Sequence, residues 1–211
     1  MNNPRLLQGL VVWYTLLWGL LAISPIDRGD WFLENLLALS AFALLLSTYQ
    51  RFRFSNVSYV LITAFLTLHA IGAHYTYAEV PFGFWLQRSF ELSRNPFDRL
   101  VHFAYGFLLF YPLRELLIRM AGTQGFWSYY LPVSGILAQS GIFEVTEAAV
   151  AQTVSPELGT AYLGTQGDEW DAQKDMMAAF TGAMIMAGLS WLNERRRTSA
   201  GTRNGPPAGG G

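Results

Sequence analysis

Glu144 and Glu147 stand three residues apart near the end of a long, otherwise uncharged stretch, so on a helix they share one face. Two neighbouring carboxylates oppose each other's ionisation, and the C-terminal end of a helix disfavours negative charge further. In an apolar segment such a pair calls for a divalent metal, a shared proton or a cationic partner. Asp171 and Asp175 are four residues apart, as are Asp98 and His102, and each of these pairs also occupies one helical face. Carboxylate oxygens favour Mg²⁺ or Mn²⁺, and a histidine would admit Zn²⁺. The chemistry suggested is a metal held by Glu144, Glu147, Asp171 and Asp175. His102 would then serve as base or further ligand, oriented by Asp98. Plainer roles compete. Asp98 and Asp171 begin helices, where a carboxylate caps free N–H groups, and His102 can simply pair with Asp98. His69 and His74 suit satisfied polar positions in a bundle, Glu34 the headgroup layer, and Arg114 and Glu115 interface anchors.

The elements that must position these groups follow from the distribution of charge. Of 211 residues, 52% are hydrophobic and 14% charged, against roughly a quarter charged in an ordinary soluble domain. A net charge of −1 and the absence of cysteine exclude a basic nucleic-acid-binding domain, a disordered chain, disulfides and Cys-liganded zinc. The charges lie between uncharged runs at 6–26, 35–50, 54–78, 100–113, 120–143 and 176–193. A spanning helix needs about 20 mostly apolar residues. The pattern predicts an all-α, polytopic membrane bundle over 1–194, with about six transmembrane helices near 6–24, 31–50, 56–76, 98–119, 126–149 and 171–193. An Arg-, Gly- and Pro-rich tail over 195–211 reads as disordered and cytoplasmic.

Arg5, Arg51, Arg53, Arg114, Arg119, Arg195, Arg196, Arg197 and Arg203 fall on one side of this topology; Arg28, Arg88, Arg94, Arg99 and Lys174 fall on the other. The excess places both termini in the cytoplasm. Thirteen of the fifteen acids, all except Glu115 and Glu194, then lie on or near the outer side. The near-neutral total conceals a polarised molecule. Helices four and six would start outside with Asp98 and Asp171, and helix five would end outside with Glu144 and Glu147. Residues 80–95 read as a short helix on the outer membrane surface. Residues 151–170 read as a glycine-spaced connection without a phosphate-loop pattern. Pro112 and Pro132 predict local kinks. No internal repeat is found.

Arg94-Asn95-Pro96-Phe97-Asp98-Arg99-Leu100-Val101-His102-Phe103, Arg114-Glu115, and Leu163-Gly164-Thr165-Gln166-Gly167-Asp168-Glu169-Trp170-Asp171 through Asp175-Met176 resemble the YjdF-type family of bacterial inner-membrane proteins. The resemblance implies fold and location and supplies no substrate. More distantly, Asp98-x3-His102, Gly141-x2-Glu144 and Asp168-x2-Asp171 followed by Asp175 are similar to the VanZ-like membrane proteins linked to glycopeptide-antibiotic resistance. This chain differs from them in having Glu147 in place of a glutamine and Asp175 in place of an asparagine. The residues point to a metal-dependent enzyme acting on a lipid or lipid-linked headgroup at the outer leaflet, with membrane lipids as partners and no nucleic acid. An acid-rich site would repel phosphate unless a metal inverted its charge. The alternatives are a small ion- or proton-coupled transporter, functioning as a homodimer, and a non-catalytic membrane scaffold.

Overall fold

The computed structural model describes residues 3–203. These residues form eight helices and no strand: α1 (Pro4–Leu21), α2 (Arg28–Thr48), α3 (Asn56–His74), α4 (Pro81–Ser89), α5 (Phe97–Ala121), α6 (Trp127–Ala151), α7 (Pro156–Leu163) and α8 (Asp171–Arg203). Local chemistry sets most of the boundaries. Asn3 accepts from Arg5 N and Leu6 N, Asp27 from Gly29 N and Asp30 N, and Ser55 from Ser58 N, so each caps the helix it precedes. Gly122 ends α5 in the left-handed region, at φ 65°, which glycine adopts without a Cβ penalty.

The six long helices lie close to the predicted segments, and α4 forms where a short surface helix was expected. By length and apolar composition, α2, α3, α5 and α8 (through Arg196) are long and apolar enough to cross a membrane. Two expectations need correcting. Residues 151–170 are not merely a connection. Ser155 caps, Pro156 opens and Gly164 (φ 57°) closes the two-turn helix α7. The chain also does not leave helical structure at 195, because α8 continues to Arg203. Only 204–211 of the expected tail lie outside the described residues.

Packing is densest between α5 and α8, with α6 against both and α3 against α5. Small residues make this possible. A Cβ on Gly106 would overlap the Ala179 carbonyl, and one on Gly182 would overlap the Phe103 backbone. Ala179 and Ala183 are fully buried against Phe110 and Ile136. Without a strong hydrophobic drive between helices in lipid, such close backbone approach supplies the dispersion contact that holds a bundle together. Asp98, His102, Gly106 and Phe110 form one stripe of α5; Asp171, Asp175, Ala179 and Ala183 form one stripe of α8. The small-residue contact therefore leads, one turn away, to the charged ends of both stripes. Large apolar side chains remain exposed around the outside, among them Leu16, Leu20, Leu44, Leu46, Ile142 and Val145.

Candidate functional site

The segment before α5 is fastened before the helix begins. Asn95, fully buried, accepts from Phe97 N at 3.1 Å and donates through Nδ2 to Ala78 O at 2.8 Å and Val80 O at 3.1 Å. Its backbone N–H donates to Gln166 Oε1 (3.0 Å), and Gln166 Nε2 donates back to Asn95 O (3.1 Å). Arg94 donates to the Thr165 and Gly164 carbonyls and to Asp171. Arg99 reaches Asp168 and, at 3.2 Å, Asp171. The glycine-spaced block before α8 is thus a clasp. It pins the start of α8 to the start of α5 through paired amides and guanidinium–carboxylate contacts.

Asp171 is consequently occupied. Expected among the metal ligands, it is instead shared by Arg94 and Arg99, which leaves it acting as their counter-ion. Asp168, at the rim, takes Lys174 at 2.7 Å and Arg99. The hydrogen bonds from Lys174 and then Arg99 hold its carboxyl well below the ordinary range.

One turn deeper, the ligand-capable atoms of Asp98, His102 and Asp175 all lie within 4.8 Å of one another. His102 Nε2 is 3.6 Å from Asp98 Oδ1 and 3.7 Å from Glu144 Oε1, beyond good hydrogen-bond distance. Asp175 is 2% exposed, and its Oδ1, like Glu144 Oε1, is buried without a hydrogen-bond partner. Arg99 Nε stands 3.8 Å from that oxygen. Glu147 follows Glu144 three residues on along α6. Of the expected set, the structure therefore gathers Asp98, His102 and Asp175 most tightly. Glu144 stands at the edge, Glu147 is beside Glu144, and Asp171 is held by arginines. Adjacent ligand atoms on one ion are separated by about 3 Å at bond lengths of about 2.0–2.5 Å, so small side-chain movements would close the three onto a common cation.

Two further acids reach the same region. Asp30 and Glu34, on one face of α2, are 1% and 4% exposed, not in a headgroup layer. Their four-residue spacing carries the same same-face signal as Asp171 and Asp175, and on that signal the sequence could have grouped them with the site. His69 and His74 are structural: His69 bridges the Glu34 carbonyl and the Tyr77 hydroxyl, and His74 Nδ1 donates to Leu21 O at 2.7 Å. Arg114 and Glu115, expected as interface anchors, make specific bonds between elements. Glu115 accepts from Ser55 N, Ser55 Oγ and Ser58 Oγ, whereas Arg114 donates to Ser128 and Glu194, so they join helices at the opposite end.

Residues 6–196 match the model of the family described as "Predicted membrane protein (DUF2238)". The chain belongs to this family. It is also 35% identical, over 187 residues, to inner membrane protein YjdF of Escherichia coli (strain K12), covering 87% of this chain and 85% of that protein. No solved structure shows a significant match. The DUF2238 match covers all the helices that build the site, and the relative bears out the YjdF-type resemblance. The more distant VanZ-like likeness is not shown by these matches.

Proposed function

We propose that this DUF2238 protein crosses the bacterial inner membrane about six times with both termini in the cytoplasm. We further propose that it is a metal-dependent enzyme acting on a lipid or lipid-linked headgroup at the outer leaflet. For the topology, α1 and α6 complete the count: α1 packs along α3, α6 packs against α5 and α8, and both expose apolar side chains outward. The arginine excess at the opposite end from the site supports the orientation.

The observation that carries the enzymatic reading is the Asp98–His102–Asp175 set, in which Asp175 Oδ1 is buried without a hydrogen bond. Three protein ligands leave positions open on a six-coordinate Mg²⁺ or Mn²⁺, or a fourth on Zn²⁺. Such an ion would polarise a headgroup oxygen and offset the carboxylates that otherwise repel phosphate. Glu144, 3.7 Å from His102, would serve as a proton-transfer group. The transporter reading has less support. Between this end and the opposite one, the middle turns of the long helices carry no Asp, Glu, Lys, Arg or His, and a proton relay needs such groups.

The test is the metal content of detergent-purified protein, wild type beside Asp175→Asn and Glu144→Gln. About one divalent ion per chain is expected in the wild type, with loss in Asp175→Asn. No bound metal, together with no effect of chelator on the melting temperature, would refute the metal-dependent reading.

A further inference from the structure

The metal set leaves two buried carboxylates unexplained. Asp30 Oδ2 and Glu34 Oε2 are both buried without a hydrogen-bond partner, on side chains 1% and 4% exposed. Tyr77, in the turn after α3, and Tyr162, on α7, stand in the field of Asp30, Glu34 and Glu147, and Tyr77 in that of Asp98 too. Burial first, then these carboxylates, pushes both phenols well above their ordinary range, so they stay protonated.

Tyr77 has already committed its proton. In a neutral ring, His69 Nε2 must donate to the Glu34 carbonyl, 3.2 Å away, because a carbonyl only accepts. His69 Nδ1 then accepts from the Tyr77 hydroxyl at 2.5 Å. The Tyr77 oxygen is left with lone pairs beside the carboxylates. With ionised carboxylates the cluster holds more acceptors than donors, and a cation that donates hydrogen bonds would satisfy it. A second metal fits less well. Among the described residues, Asp98, His102 and Asp175 form a set of ligand atoms within 4.8 Å, a set that Asp30 and Glu34 do not join. An ammonium offers three N–H donors, each reaching an oxygen about 2.7–3.2 Å away, so its acceptors can be spaced more widely. On the neighbouring side, Arg94 Nε is a buried donor without a hydrogen-bond acceptor, the complement that an anionic oxygen requires.

We propose that Asp30, Glu34 and Tyr77 receive the primary ammonium of a headgroup whose phosphate lies toward Arg94, Arg99 and the metal set, which makes the substrate class an amine-bearing phospholipid. This rests on the headgroup reading above and names its substrate. The test uses the full chain in nanodiscs of phosphatidylglycerol doped with phosphatidylethanolamine, its N-monomethyl and N-dimethyl forms, or phosphatidylcholine, with bound lipid counted by native mass spectrometry. Occupancy should fall about tenfold along the series as N–H donors are removed. Glu34→Gln should lower phosphatidylethanolamine binding to the phosphatidylcholine level while bound metal stays at the wild-type content. Equal occupancy by all four lipids in the wild type overturns the proposal without depending on how any variant folds. Competition by soluble phosphoethanolamine at the lipid's own concentration overturns the lipid part and assigns the ammonium site to a free headgroup. Selectivity without bound metal would sink only the metal reading, and bound metal without selectivity would sink only this one.

Discussion

Arg94→Met tests whether the clasp between α5 and α8 is a structural joint. Both Arg94 and Asp171 have side chains 6% exposed, so the pair is shielded from water and salt. Removing one member of a buried pair costs about 3–5 kcal/mol, because the other charge is left uncompensated. Arg99 remains 3.2 Å from Asp171, which places the expected cost near the lower bound, about 3 kcal/mol. Methionine keeps the aliphatic stem, so the loss reports mainly charge and hydrogen bonds, including those to Thr165 O and Gly164 O. Adding Asp171→Asn removes the stranded charge as well. The double variant should therefore be more stable than the sum of the single losses predicts, with a coupling of about 1–3 kcal/mol. Equilibrium unfolding in mixed micelles with rising SDS fraction, followed by tryptophan fluorescence, measures all four corners of the cycle. A single-variant loss under about 1 kcal/mol, the surface-pair value, would refute the reasoning. Additivity within about 0.5 kcal/mol would do the same.

Other consequences are separable from this one. Asp171→Asn should leave bound metal at the wild-type stoichiometry, whereas Asp98→Asn should lower it, as read by elemental analysis after gel filtration; the reverse pattern would restore Asp171 as a ligand. Gly106→Leu should destabilise the bundle by about 3 kcal/mol or more through overpacking against the Ala179 carbonyl. Gly188→Leu, where a Cβ meets nothing within 4 Å, should change stability by about 0.5 kcal/mol or less; equal effects in SDS titration would contradict the close helix approach. Asp168 has a depressed folded-state pKa, so its contribution is present above the ordinary carboxylate range and is lost as pH falls through the folded value. The melting-temperature gap between wild type and Asp168→Asn should thus stay constant from neutral pH down to about 4 and narrow below it. A gap that is flat throughout the acid range would dismiss the ion pairing. Ser155→Ala should cost about 0.5–2 kcal/mol by removing the α7 cap, measurable in the same titration.

Much of the site was legible because helical spacing converts sequence separation into a shared face. Asp98 and His102, like Asp171 and Asp175, could be assigned to helix stripes from their four-residue spacing alone. What spacing cannot report is which neighbour a carboxylate turns toward. Asp171 looked as free to bind a metal as Asp175 did. Their difference depends on Arg94 and Arg99, which are remote in sequence and brought over by the Asn95–Gln166 amide pair. Helix α7 carried readable signals in Ser155, Pro156 and Gly164, but its glycines and short length suggested a loop. Spacing alone suits Glu34 to the headgroup layer; its burial, and that of Asp30, arises from α3 and α7 packing against α2.

By itself, the order of residues determined a membrane-embedded helical chain with its acids gathered at one end. Uncharged runs of spanning length have no favourable home in water, and charge has none in hydrocarbon. Only the tertiary structure decided which acids are paired and which remain without partners. That depends on how closely two backbones approach, and here Gly106 and Gly182 let α5 and α8 come near enough for Asp98, His102 and Asp175 to meet. One methyl group at either glycine would change the distance between the helices, and with it the geometry of the site.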